Sequence, residues 1–107
     1  MRTAAGHGWT FLTNHAHLLI AVARDPDARV RDLAAVVGVS ERAALTILQD
    51  LQDAGYLHRH RVGRRNTYTL RRDLPFRHPA NAAHGVGELL AIFEDGDGPA
   101  GGTGTRP

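Results

Sequence analysis

The stretch VRDLAAVVGVSERAALTILQDLQDAGYL, residues 30–57, decides the fold. Val30, Leu33, Ala34 and Val37 recur at i, i+3, i+4 and i+7, the spacing of one helical face. Gly38 follows at once, and a residue without Cβ ends a helix in left-handed backbone at little cost. The spacing therefore predicts a helix of about two turns. Arg31 stands where a capping Ser or Asp is expected, while Asp32 in the first turn suits the positive end of the helix dipole. After the short turn Gly38-Val39-Ser40, Ser40 is placed to cap a further helix, with Ala44, Leu48, Leu51 and Ala54 as its buried ridge and Gly55 as its stop.

Working outward toward the N-terminus, Thr13 reads as the cap of an earlier helix that stops before Asp25-Pro26, because a residue preceding proline avoids helical backbone. Leu12, Ala16, Leu19, Ile20 and Ala23 form one stripe, and Phe11, Leu18 and Val22 lie on the other side. A helix apolar nearly all round must be covered twice. One cover is the domain core, and a second subunit is expected to supply the other. Beyond Gly55 the period changes to two, and Tyr56–Val62 and Asn66–Arg71 read as strands flanking a Gly63-Arg64-Arg65 tip. Pro75 and Pro79 then break regular structure before Val86, Leu89, Leu90 and Phe93 return to helical spacing. The expected fold is mainly α with a small β-hairpin, in the α+β class. Two helices joined by so tight a glycine-containing turn form a helix-turn-helix, and the hairpin adds a wing.

Composition sets the outer limits. The chain has 107 residues, so one domain is expected. Its longest apolar run, Leu18–Ala23, is far short of the ~20 residues a membrane span needs. Nothing near Met1 reads as a leader, and the absence of cysteine removes disulfides and thiolate metal sites. A cytoplasmic protein is expected. All 13 basic residues are arginine, a bias expected of a high-GC bacterial genome. The net charge of +2 conceals an asymmetry: residues 58–77 hold seven arginines against Asp73 alone. Such a concentrated cationic stripe is the electrostatic footprint of a nucleic-acid binder. Residues 1–8 and the Gly-rich 95–107 have compositions that predict disorder. That leaves a DNA-binding unit at 9–74, then a loop and a C-terminal dimerisation helix at 75–94.

Arg31-Asp32-Leu33-Ala34, Gly38-Val39-Ser40, the Leu51-Gln52-Asp53-Ala54-Gly55-Tyr56-Leu57 closure and Gly63-Arg64-Arg65-Asn66 occur in that order. With these pieces, the run from Leu12 to Arg72 resembles the winged helix-turn-helix domain of bacterial transcription regulators, especially the small MarR-like and ArsR-like repressors. The resemblance implies that the helix after Ser40 enters the major groove, that the wing reaches an adjacent minor groove or the backbone, and that two subunits read a pseudo-palindrome. The residue chemistry agrees. Arg42 suits guanine, Gln49 suits adenine, and Thr46 or Ala43 suits a thymine methyl. Ser40 and the free amides beside it suit a phosphate. Arg59, Arg61, Arg64, Arg65 and Asn66 on the wing would grip the backbone, with Arg64 or Arg65 entering a narrow minor groove. Arg71, Arg72 and Arg77 are weaker candidates.

Other readings compete with this one. Leu45 lies between Glu41 and Gln49 on the exposed face, with Asp50 and Asp53 nearby, as expected either of a low-specificity binder that leans on its wing or of a protein-interaction module such as an antirepressor or adaptor. His58 and His60 share a strand face, and with His78 and His84 they would form a site like those of ArsR-like metal sensors. No metal or cofactor is expected, since no carboxylate–histidine motif supports that site. An enzyme is not expected either. Ser40 is explained as a cap, Gly85-Val86-Gly87 follows no strand, and so short a chain leaves little room for a catalytic or large effector pocket. The first and last helices, paired across a two-fold axis, are expected to enlarge the small core by forming a homodimer.

Overall fold

The computed structural model describes residues 9–94, and both termini expected to be disordered lie outside the described residues. The elements run α1 (Asn14–Arg24), α2 (Val30–Val37), α3 (Glu41–Asp53), β1 (Leu57–Val62), β2 (Arg65–Leu70), a single 3-10 turn (Pro79–Asn81) and α4 (Val86–Glu94). No described helix is long and apolar enough to cross a membrane.

Local chemistry sets the helix ends. The Thr13 side chain accepts the Ala16 N–H at 3.1 Å and Ser40 accepts that of Ala43 at 3.0 Å, so two of the exposed amide groups at the helix starts are satisfied. Gly38 ends α2 at φ 87°, and Gly55 reverses the chain after α3 at φ 89°. The weak start of α2 lies at Arg29 rather than Arg31, and Arg29 makes no side-chain capping bond.

The core is shared by every helix and the hairpin. Leu18 and Val22 of α1, Leu33 of α2, Ala44, Leu48 and Leu51 of α3, Leu57 of β1, Tyr68 of β2 and Leu90 of α4 are buried together. Ile47, absent from the expected ridge of α3, joins them. The face of α1 that was expected to need a second subunit is met within the chain, because α1 packs against α2, α3 and α4 alike. Phe11 corrects the sequence reading in the other direction: it precedes the helix and is 92% exposed.

The hairpin is tighter than its sequence implied. Val62 pairs with Arg65, so the turn consists of Gly63, at φ 63°, and Arg64. The outer edge of β2 is covered by the α1–α2 turn, where the Pro26 carbonyl accepts the Tyr68 N–H at 3.1 Å and the Asp27 carboxylate accepts the Thr67 hydroxyl at 2.6 Å. After β2, residues 71–76 run back along the entry to α4. The Arg72 and Leu74 carbonyls accept the Gly87 and Val86 N–H groups at 2.9 Å each, docking α4 against the sheet's exit.

Candidate nucleic-acid interface

One long face of α3 is left uncovered. Arg42, Leu45, Thr46 and Gln49 are exposed along it, Ala43 is half-buried beside them, and Ala44, Ile47, Leu48 and Leu51 turn inward. Exposed side chains at 42, 45, 46 and 49 recur at helical spacing, so they form one continuous stripe. Ser40 uses its lone pair on the Ala43 amide and keeps its hydroxyl proton for another acceptor. The Thr46 hydroxyl donates to the Arg42 carbonyl at 3.2 Å, which commits its polar end to the helix and leaves its methyl group as the free end.

The hairpin register sorts the wing residues by face. Leu57, Arg59 and Arg61 share one face with their partners Leu70, Tyr68 and Asn66. His58, His60 and Val62 share the other with Thr69, Thr67 and Arg65. Burial pushes the Tyr68 phenol pKa up, and the nearby positive charge of Arg59 partly opposes it. Arg61 donates to the Gly63 carbonyl at 3.2 Å, and Arg64 stands exposed at the tip. Three crossing helices, a tight turn before an uncovered helix and a hairpin beyond it now stand together. The family model described as winged helix-turn-helix DNA-binding matches residues 13–58. The fold is a winged helix-turn-helix, and its residues 13–58 are similar to DNA-binding domains of that kind. The match runs from the cap of α1 to the second residue of β1, and the hairpin that completes the wing follows in the structure. No curated protein matches the chain.

Several residues of the wing and its surroundings are engaged within the chain. Arg65 is a strand residue, and its guanidinium donates to the Asp27 carbonyl at 3.3 Å, pointing back to the α1–α2 turn instead of beyond the tip. Asn66 is half-buried opposite Arg61. Part of the cationic surplus is spent internally. Arg72 grips Glu94 of α4 through two parallel bonds of 2.7 Å, and that fork raises the Arg72 pKa further. Arg71 pairs with Asp73 at 3.2 Å and holds that carboxyl below its ordinary pKa. Arg59, Arg61 and Arg64 have no carboxylate partner among the described residues.

The histidines separate into different jobs. The rings of His58 and His60 lie 4.6 Å apart, as their shared face implied, and His60 hydrogen-bonds the Thr69 hydroxyl at 2.7 Å. His78 instead caps the 3-10 turn and His84 meets Glu88 at 3.0 Å, so neither completes a site with the wing pair. Among the described residues no group of three His, Cys, Asp or Glu side chains is arranged to hold a metal.

Two features went unread in the sequence. A groove of about 580 Å³ opens between α1, α3 and α4, lined by Leu19, Leu51, Tyr56, Phe76 and Leu89, although a sizeable pocket was not expected in so short a chain. The acidic residues of α3 also have partners: His15 Nε2 lies 2.8 Å from Asp50 Oδ2, and Gln49 Nε2 donates to Asp53 Oδ1 at 2.9 Å. The four-residue spacing of Gln49 and Asp53 was a legible signal for the second pair, whereas nothing local announces the first.

Proposed function

We propose that the protein is a sequence-specific DNA-binding regulator of transcription, acting in the bacterial cytoplasm as a homodimer and without enzymatic activity of its own. In this reading α3 lies in the major groove, with Arg42 on guanine, Gln49 on a neighbouring base, and Ala43 and the Thr46 methyl against a thymine methyl. Ser40 and the first amides of α3 meet a phosphate. Arg59, Arg61 and Arg64 meet the backbone or the adjacent minor groove, with Arg65 and Asn66 at the flank of the wing. The observation that carries this reading is the uncovered stripe Arg42, Thr46 and Gln49 on a helix beside a hairpin whose arginines at 59, 61 and 64 lack carboxylate partners among the described residues. The proposed dimer buries large apolar side chains that one chain leaves exposed, Trp9 and Phe11 before α1 and Ile92 on α4.

Selection of bound fragments from random duplex DNA at two salt concentrations tests the reading. A two-fold related motif whose binding weakens steeply with salt is expected, and recovery of fragments without any shared motif would refute it. A gel-filtration mass of one subunit at micromolar concentration would remove the dimer alone. Leu45, half-exposed at the centre of the α3 stripe, favours a second reading in which this face meets a protein. Replacing Arg59 and Arg64 with Ala separates the two, because it abolishes retention on DNA in the first and leaves partner binding intact in the second.

A further inference from the structure

The C-terminal part of α3 carries Asp50 and Asp53 with no base in the last turn. Both carboxylates are poorly placed for a helix of this kind, because the C-terminal end is already partly negative and duplex DNA is a polyanion. Asp50 is engaged from outside the helix by His15, whose Nε2 lies 2.8 Å from Asp50 Oδ2 across the α1–α3 contact. Asp53 is not: its side-chain bond is to Gln49, whose Nε2 donates to Asp53 Oδ1 at 2.9 Å. An ionised carboxylate only accepts, so this bond decides which way the Gln49 amide is turned. The nitrogen faces Asp53 and the oxygen faces away. Gln49 stands seven residues beyond Arg42, two helical turns further along the same uncovered stripe.

We propose that Asp53 is a positioning residue for base readout, holding the Gln49 amide with Oε1 toward the major groove so that the domain prefers amino-bearing bases, adenine and cytosine, over guanine and thymine. The inference rests on the reading of α3 as the helix that contacts DNA. In the major groove adenine N6 and cytosine N4 donate, whereas guanine O6 and thymine O4 accept. A glutamine free to rotate serves either kind, since its amide offers an acceptor in one orientation and donors in the other. Held by a carboxylate, whose charge strengthens the bond, it offers an acceptor. The misplaced negative charge at the end of α3 thereby acquires a role that its effect on helix stability does not explain.

The test is selection from random duplex DNA with the full chain as wild type, Gln49→Ala, Asp53→Ala, Asp53→Asn and Asp53→Glu. Wild type should show a preference of about fivefold or more for adenine or cytosine at one position of each half-site, the scale of a single hydrogen bond. Gln49→Ala and Asp53→Ala should lose it at that same position while the remaining positions persist. Asp53→Asn, which accepts or donates and so turns the amide either way, should weaken it, and Asp53→Glu should retain it. Asp53→Ala should also bind random-sequence DNA at least as tightly as wild type, because one negative charge leaves the interface. A merely structural role would weaken all binding and alter every position alike. The inference is overturned, with the DNA reading intact, if wild type selects a motif and either Asp53→Ala keeps the full preference or the Gln49-dependent position favours guanine or thymine. Failure of wild type to select any motif overturns the DNA reading itself and takes the inference with it.

Discussion

Gly87 shows how two local effects of opposite sign are weighed at one residue. In a helix interior Gly→Ala normally adds up to ~1 kcal/mol of stability, and Gly87, the second residue of α4, gains at most that. Here a Cβ would lie 2.8 Å from the Arg72 carbonyl oxygen and 2.9 Å from the Arg72 Cβ, contacts that backbone cannot relieve without shifting. Overpacking of this kind costs ~1–3 kcal/mol, so sterics win and Gly87→Ala should lower the denaturation midpoint. An increase would mean that the approach of 71–74 to α4 is loose. Tyr68 supplies a second residue-scale expectation. Burial raises its phenol pKa above the ordinary 10, so the folded state favours the neutral form more than the unfolded state does. The resulting stability is fully present below about pH 10 and declines as pH rises through the folded value. Chemical denaturation from about pH 9 upward should therefore show a steeper alkaline loss in wild type than in Tyr68→Phe.

Among the elements, α4 has the most to do for its length. Leu90 is 1% exposed, Val86 is buried beside it, and α4 joins α2 and α3 in covering the apolar girth of α1. Leu90→Ala should cost ~2–5 kcal/mol, a large part of a small domain's net stability, and urea denaturation measures it. If the loss is under ~1 kcal/mol, α4 is not part of that cover. The Arg72–Glu94 fork adds a polar tie at the far end of the same helix. Its contribution is modest because the Arg72 side chain is 47% exposed. The wing follows a different logic. Its inner face is anchored by Leu57 and Tyr68 and its outer edge by Pro26 and Asp27, so its tip can be altered without unfolding the domain.

At the scale of the whole molecule the net charge of +2 is a poor guide to where cation is available. The pairs Arg71–Asp73 and Arg72–Glu94 withdraw two guanidinium groups from the stripe that seven arginines appeared to form. What remains is concentrated on the hairpin. Each phosphate contact adds ~0.9 to the slope of log K against log salt. Arg64→Ala should reduce that slope by about this amount per subunit while leaving the selected motif unchanged. Arg72→Ala should leave the slope where it was and lower thermal stability instead. A slope equally sensitive to both would mean that the paired and unpaired arginines are not distinguished by their partners.

The sequence by itself determined the elements and their order. Thr13, Ser40, Gly38 and Gly55 mark helix ends through bonds and backbone angles that act within a few residues, and apolar spacing separates helix from strand because the two periods differ. The stripe of α3 and the hairpin after it follow from the same short-range rules. Only the tertiary structure decided which charged groups are free. Arg65 reaches a carbonyl 38 residues away, Arg72 a carboxylate 22 residues away, and His15 an aspartate 35 residues away. Nor did the period of α1 reveal whether its second apolar side would meet another subunit or α4 of the same chain. Pairings of that range depend on where whole elements come to rest, which the burial of the shared core settles and local propensity does not.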